Sequence, residues 1–139
     1  MAITPYLFFD GRAEEPADFY RQALGAQVAM MMRFSDSPDP MPEGMIPPGA
    51  EDRIMHMELR IGQARLFASD GNCTGKPRFE GSAVALEADG EAQARRWFDN
   101  LGEGGQVQMP MGPTFFSPCF GMVCDRFGVA WMVIVPMAT

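Results

Sequence analysis

FDGRAEEPADFYRQALG, residues 9–25, returns in altered form as ADGEAQARRWFDNLG, residues 88–102, and this pair of stretches decides the fold. Asp10-Gly11 and Asp89-Gly90 each end a short apolar run, at an offset of 89 − 10 = 79. Each is followed by a helix pattern with an aromatic pair, Phe19-Tyr20 and Trp97-Phe98. Each helix stops at Leu-Gly, at Leu24-Gly25 and Leu101-Gly102. In the first helix Ala17, Tyr20 and Leu24 recur at helical spacing, Phe19 and Ala23 widen the stripe, and Glu14 and Glu15 suit the positive N-terminal end. In the second, Ala94, Trp97, Phe98 and Leu101 do the same.

Outward from the helices, the rest of the chain reads as strands. Ile3–Phe9, Gln27–Phe34, Arg53–Ile61, Ala64–Ser69, Ser82–Ala88, Gln106–Met111, Phe120–Asp125 and Val129–Val135 are apolar or alternating runs bounded by turn residues. Pro5 places the first strand at an edge or makes the proline a strand start. In Arg53–Ile61, Met55, Met57, Leu59 and Ile61 form one row, and His56, Glu58 and Arg60 form the other. Arg60-Ile61-Gly62-Gln63-Ala64 parallels Arg126-Phe127-Gly128-Val129-Ala130, an offset of 126 − 60 = 66. The drop from 79 to 66 fits a proline-rich insertion, Ser35 to Glu51, in the first half only. That stretch carries Pro38, Pro40, Pro42, Pro47 and Pro48 and reads as an irregular lid or loop.

The expected fold class is α+β. Two tandem βαβββ modules, about 1–70 and about 82–136 within one domain of 1–139, should form a curled mixed sheet around a central cleft, with helices on the outer face.

Bulk properties narrow the function. A chain of 139 residues with 47% hydrophobic and 21% charged residues suits one soluble globular domain. A net charge of −7 repels phosphate backbones, so nucleic acid is not an expected partner. No apolar run is long enough to span a bilayer, and the N-terminus lacks the pattern of a signal peptide, so the expectation is a cytoplasmic protein with no membrane partner. Cys73, Cys119 and Cys124 have no zinc or redox spacing and read as reduced structural thiols.

Ile3-Thr4-Pro5-Tyr6-Leu7-Phe8-Phe9 with Asp18-Phe19-Tyr20, then His56-Met57-Glu58-Leu59-Arg60-Ile61-Gly62, Ser69-Asp70, Phe120-Gly121-Met122-Val123, Asp125-Arg126-Phe127-Gly128-Val129 and Trp131 resemble, in this order, the signatures of PhnB-like proteins. The resemblance implies the vicinal oxygen chelate superfamily of glyoxalases, bleomycin-resistance proteins and extradiol dioxygenases. It implies paired βαβββ modules around a cleft and a homodimer, in some members with exchanged modules. Many PhnB-like proteins are described as ubiquinone-pathway methyltransferases, but no glycine-rich strand-to-helix turn for a nucleotide-type methyl donor stands in this sequence.

Metal-dependent members of the superfamily place His, Glu or Gln ligands on the first and last strand of each module. Alignment by the Asp-Gly ends and the turn glycines puts Thr4, Leu66, Ala83 and Met132 there, with Pro5, Phe67, Val84 and Val133 one residue further on. None is a hard-metal ligand, so no metal and no other cofactor is expected.

Two functional groups remain. His56 and Glu58 share a strand face with Arg60, and a histidine beside a carboxylate suits proton transfer near neutral pH. Tyr6, Phe8, Arg60, Glu87, Phe115, Phe116, Met122 and Met132 are the expected ligand-binding residues, because aromatic and methionine side chains with scattered charges suit a flat or cationic organic molecule. The expected function is metal-independent binding of a small organic molecule in the inter-module cleft. The alternatives are an enzyme using His56 and Glu58, with or without a non-standard metal site, and a non-catalytic dimeric interaction protein.

Overall fold

The computed structural model describes residues 2–39, 44, 46–71 and 73–137. The chain divides into two compact units, Met1–Arg78 and Phe79–Thr139. Among the described residues, each is built as β-α-β-β-β with one four-stranded mixed sheet and one α-helix, and the first adds a short 3-10 turn at Phe34–Asp36.

The first unit runs β1 (Tyr6–Phe8), α1 (Glu14–Leu24), β2 (Gln27–Arg33), β3 (Ile54–Ile61) and β4 (Ala64–Ser69), with sheet order β1-β4-β3-β2. The edge strand β1 pairs parallel with β4; the other pairings are antiparallel. β1 is shorter than the run Ile3–Phe9 suggests. Pro5 has no N–H for the ladder and stands just before the strand, where its carbonyl accepts from the Phe67 N–H at 3.0 Å. α1 ends on Gly25 in the left-handed region, φ 69°, and the Gly25 and Ala26 N–H groups cap the carbonyls of Arg21 and Tyr20. The helix packs on β2 and β3. Its Ala17, Tyr20 and Leu24 are buried, as are Phe9, Ile54, Met57, Leu59, Ile61, Leu66 and Ala68 of the same unit.

The second unit runs β5 (Val84–Glu87), α2 (Glu91–Gly102), β6 (Gln106–Gly112), β7 (Phe120–Cys124) and β8 (Ala130–Ile134), with sheet order β5-β8-β7-β6. Its core holds Leu86, Ala94, Phe98, Leu101, Val123, Trp131 and Val133. The duplication extends to irregularities. β2 carries an extra residue, Ala29, between the pairs Val28–Leu59 and Met30–Glu58; β6 carries Gln108 between Val107–Val123 and Met109–Met122. The two bulges are again 108 − 29 = 79 residues apart.

Two sequence expectations need correction. The offset of 66 does not relate equivalent positions: Arg60 is paired inside β3, whereas Arg126 lies in the loop after β7. The β3–β4 connection has two residues between Ile61 and Ala64, and the β7–β8 connection has five between Cys124 and Ala130. The register Glu58–Phe67–Tyr6 corresponds to Met122–Met132–Ala85, so the offsets are 64 on β3 and 65 on β4. Met55 does not belong to the buried row. The ladder passes from Met32–His56 to Arg33–Ile54, leaving Met55 as an extra residue, and this bulge turns Ile54 inward in its place.

The loop Ser35 to Glu51 is closed at its base by Phe34 N–H to Arg53 carbonyl and Ser35 N–H to Glu51 carbonyl bonds. Residues 40–43 and 45 of the expected lid lie outside the described residues.

Candidate functional site

A two-residue hairpin turn determines which side chains meet on the first sheet. Gly62, at φ 60°, reverses the chain with Gln63, so Ile61 faces Ala64 and Arg60 faces Arg65. Two residues further, Glu58 faces Phe67, and Phe67 faces Tyr6 on β1. On β2, Met30 faces Glu58 and Met32 faces His56. Side chains directly opposite each other lie on the same face. The face away from α1 therefore carries Tyr6, Phe8, Met30, Met32, His56, Glu58, Arg60, Arg65 and Phe67.

At its centre is an aromatic cluster. Tyr6 stacks on Phe8 with ring centroids 4.8 Å apart, and Phe67 stands edge-on to both Tyr6, at 6.0 Å, and His56, at 5.1 Å. The Tyr6 hydroxyl lies 2.8 Å from His56 Nδ1. Either atom can donate, according to the imidazole tautomer. Phe8 does not fill the core. It is 51% exposed, whereas its neighbour Phe9 is 2% exposed. Tyr6 is 39% and Met30 41% exposed, so the cluster presents ring and methionine surface rather than enclosing it.

Beside the rings is a charged triad. Arg60 Nε donates to Glu58 Oε2 at 2.9 Å and Arg65 Nη1 donates to Oε1 at 3.4 Å. The Arg60 hydrogen bond holds the Glu58 carboxyl below its ordinary range; partial burial opposes this, and the charges of both arginines reinforce it. Glu58 is thus held as a carboxylate by the arginines, and the hydrogen-bond partner of His56 is Tyr6. The Arg65 guanidinium also sits 5.7 Å from the Phe67 ring centroid.

Of the residues expected from the sequence, Tyr6, Phe8, His56, Glu58 and Arg60 come together on this face. Arg65 was not among the expected site residues, and Phe67 was named only as the metal position one residue on from Leu66. Their signal was present: a two-residue turn at Gly62-Gln63 fixes β4 against β3, and alternation then puts Arg65, Phe67 and Ser69 on the His56 side. In the second unit, Met122 and Met132 pair directly and Met132 faces Ala85, so the three share a face with Glu87, two residues along β5. Phe115 and Phe116 lie in the loop before β7; Phe115 is 93% exposed, and Phe116 stands edge-on to Phe120 at 5.0 Å.

The register also corrects one expected metal position. Leu66 pairs with Leu59 in the buried row, and the residue of β4 on the face away from α1 is Phe67. Thr4, Phe67, Ala83 and Met132 offer no carboxylate, imidazole or thiolate, so these positions do not fit a divalent cation. Among the described residues, no three His, Cys, Asp or Glu side chains gather as a metal's ligands would.

The site rests on a buried carboxylate. Asp70, 1% exposed, follows β4. Its Oδ1 accepts from the N–H groups of Gly11, at 2.9 Å, and Ala13, at 2.6 Å, and its Oδ2 from that of Ile54, at 2.7 Å. One side chain so ties the β1–α1 turn to the start of β3, the strand that carries His56. Through Ala13, the N-cap residue of α1, it also satisfies one N–H that the helix leaves without an intrahelical partner. Arg53 adds a bond from Nη1 to the Gly11 carbonyl at 2.7 Å. In the second unit, Asp125 Oδ1 accepts from the Phe127 and Val129 N–H groups, and its Oδ2 from Trp131 Nε1 at 2.9 Å.

Residues 1–134 match the family model described as 3-demethylubiquinone-9 3-methyltransferase. The chain is 33% identical over 142 residues to protein YjdN of Escherichia coli (strain K12), covering 97% of this chain and 95% of that protein. It is 42% identical to the crystal structure of protein PA1353 from Pseudomonas aeruginosa, with a TM-score of 0.82 and 99% of each chain covered. The PhnB protein from Bacillus cereus shares the fold at 23% identity, with a TM-score of 0.75 over 97% of this chain and 99% of that one. Among the described residues, no helix is long and apolar enough to cross a membrane.

Proposed function

The chain belongs to the PhnB-like family described as 3-demethylubiquinone-9 3-methyltransferase, and we propose that the face of its first sheet away from α1 binds a small, flat organic molecule without a metal. One observation carries this reading: Tyr6, Phe8, His56 and Phe67 form a contiguous ring cluster that stays partly exposed. Exposed aromatic surface with a hydrogen-bonded polar tip is suited to stacking a planar ligand and orienting it through one polar contact. Met30 and Met32 flank the rings with side chains that adapt to irregular shapes. Methyl transfer is not part of the reading. The strand-to-helix turn at Asp10-Gly11-Arg12-Ala13 has a single glycine, and its Gly11 and Ala13 N–H groups are already bonded to Asp70.

The test is a screen of planar aromatic fragments by amide chemical-shift mapping and thermal shift. Binding to the folded state raises its stability by mass action. The expected result is shifts centred on Tyr6, Phe8, His56 and Phe67, lost in a folded Phe67→Ala variant. Fragments that shift only other regions, or that bind Phe67→Ala equally well, would defeat the proposal.

The Tyr6–His56 bond also favours a second reading, in which the same face is an active site. With Nδ1 held by Tyr6, the other imidazole nitrogen is the one that would exchange a proton with a bound molecule. Glu58, kept ionised by two arginines, is a weak proton acceptor and would act by its charge. Turnover that persists in a folded His56→Ala variant would remove this reading.

A further inference from the structure

We infer that the molecule bound on this face is a planar conjugated ring carrying a carboxylate, and that Arg60 and Arg65 recognise the acidic group. The inference rests on the stacking reading above and adds the charge of the ligand. Glu58 brings one negative charge to the triad and the arginines bring two positive charges, so the local balance is +1 in a chain of net charge −7. The Glu58 side chain is only 14% exposed and both its oxygens are engaged, while Arg60 and Arg65 are 56% and 44% exposed. Each guanidinium has five N–H donors, and each commits one of them to Glu58. The remaining Arg65 donors stand beside the Phe67 ring, whose centroid is 5.7 Å from Arg65 Cζ, and Arg60 is held next to them by its register with Arg65 and their shared Glu58.

Register adds a second argument. Arg60 and Arg65 face each other across β3 and β4, a like-charge pairing that destabilises a sheet. One half-buried carboxylate bonded to both offsets part of that repulsion, and an incoming carboxylate offsets more. Planar forks of this kind match carboxylates by paired, charge-assisted hydrogen bonds. A flat cation would be attracted by the rings but repelled by both guanidinium groups. The occupant that satisfies rings and charges together is therefore an aromatic or conjugated acid.

The experiment compares three probes built on one naphthalene ring by calorimetry and amide shift mapping: 2-naphthoate, the nearly isosteric 2-naphthamide, and (2-naphthyl)trimethylammonium. In the native protein, naphthoate should bind on the order of tenfold more tightly than naphthamide, as expected for charge-assisted over neutral bonding in a partly exposed site. The ammonium probe should bind most weakly. Raising salt should narrow these differences, because exposed charges are screened. In the Arg60→Gln/Arg65→Gln double variant, naphthoate should lose its advantage while naphthamide binds as before. Glu58→Gln should strengthen naphthoate binding, an effect that a purely structural role for the triad would not produce. If naphthamide binds at Tyr6 and Phe67 but naphthoate is no tighter, the acidic-ligand inference is overturned and the stacking reading stands. If none of the three binds on this face, both fall together.

Discussion

Replacing Asp70 by alanine removes the acceptor from three backbone N–H groups at once, those of Gly11, Ala13 and Ile54. The carboxylate is 1% exposed, so water does not replace it without rearrangement. A buried donor left without a partner costs about 1–3 kcal/mol. The turn at Gly11 can relax towards solvent, so the sum for three donors is roughly 3–6 kcal/mol rather than the arithmetic maximum. Asparagine keeps one acceptor oxygen. Oriented towards Gly11 and Ala13, it turns its amide N–H towards the Ile54 N–H, and a loss of about 1–3 kcal/mol follows. The expected order of stability is therefore native, then Asp70→Asn, then Asp70→Ala. Against a typical domain stability of about 5–15 kcal/mol, the alanine variant would be close to unfolding. Both tryptophans, Trp97 and Trp131, lie in the second unit, so tryptophan emission alone would misreport the effect. Urea unfolding followed by far-UV circular dichroism, with amide exchange resolved at Gly11, Ala13 and Ile54, reads the first unit directly. An alanine variant within about 1 kcal/mol of native, with those three amides still protected, would show that the three bonds do not hold the turn.

Three further outcomes follow from the same structure. The Glu58 carboxyl should titrate below its ordinary 4.5 and move up towards it in Arg60→Gln; because its folded value is depressed, its contribution to stability is present above the ordinary value and fades as pH falls through the folded one, which carboxyl-carbon NMR against pH would follow. Burial pushes the thiols of Cys73 and Cys124 above 9.0, so both should react with an alkylating reagent at pH 8 more slowly than free cysteine, and equal rates would contradict the packing. Gly121→Ala would place a Cβ 2.5 Å from Met111 Sδ and 2.7 Å from Phe98 Cε2, so thermal unfolding should show a loss of about 1–3 kcal/mol, whereas Gly112→Ala, at the end of β6 with nothing within 4 Å of the added Cβ, should be nearly neutral.

The fold was legible because its signals are local. Glu14–Leu24 and Ala64–Ser69 have the bounds that caps, charges and turn glycines predict. The duplicated marks survive because each acts locally. Asp-Gly ends a strand, the second residue of each aromatic pair, Tyr20 or Phe98, fills the helix–sheet core, and Leu-Gly stops a helix. The misread features are those in which one residue too many enters a strand. Alternation puts Met55 with Met57, and nothing in the residues themselves announces the bulge that admits Ile54 instead. Similarly, the offset of 66 came from matching two glycine turns, although one turn spans two residues and the other five.

The same difference in turn length explains how far the site could be read. Counting from a glycine placed Leu66 on the cleft side, yet what fixes a strand's face is its pairing, and pairing is set by the number of residues in the turn. With two residues at Gly62-Gln63, Arg65 and Phe67 must join Glu58 and His56; with any odd change in that number they would face α1. The ring cluster and the arginine pair are thus consequences of one short turn. Asp70 was harder to see, because its value lies in three backbone groups that carry no sequence identity: Gly11, Ala13 and Ile54 take part through their N–H groups alone. A carboxylate that serves the backbone leaves no partner residue to find. Its position right after β4 nonetheless gives it a functional consequence. It bonds the Gly11 and Ala13 N–H groups just after β1 and the Ile54 N–H at the start of β3, so it braces the ends of the two strands that carry Tyr6 and His56 while touching neither residue.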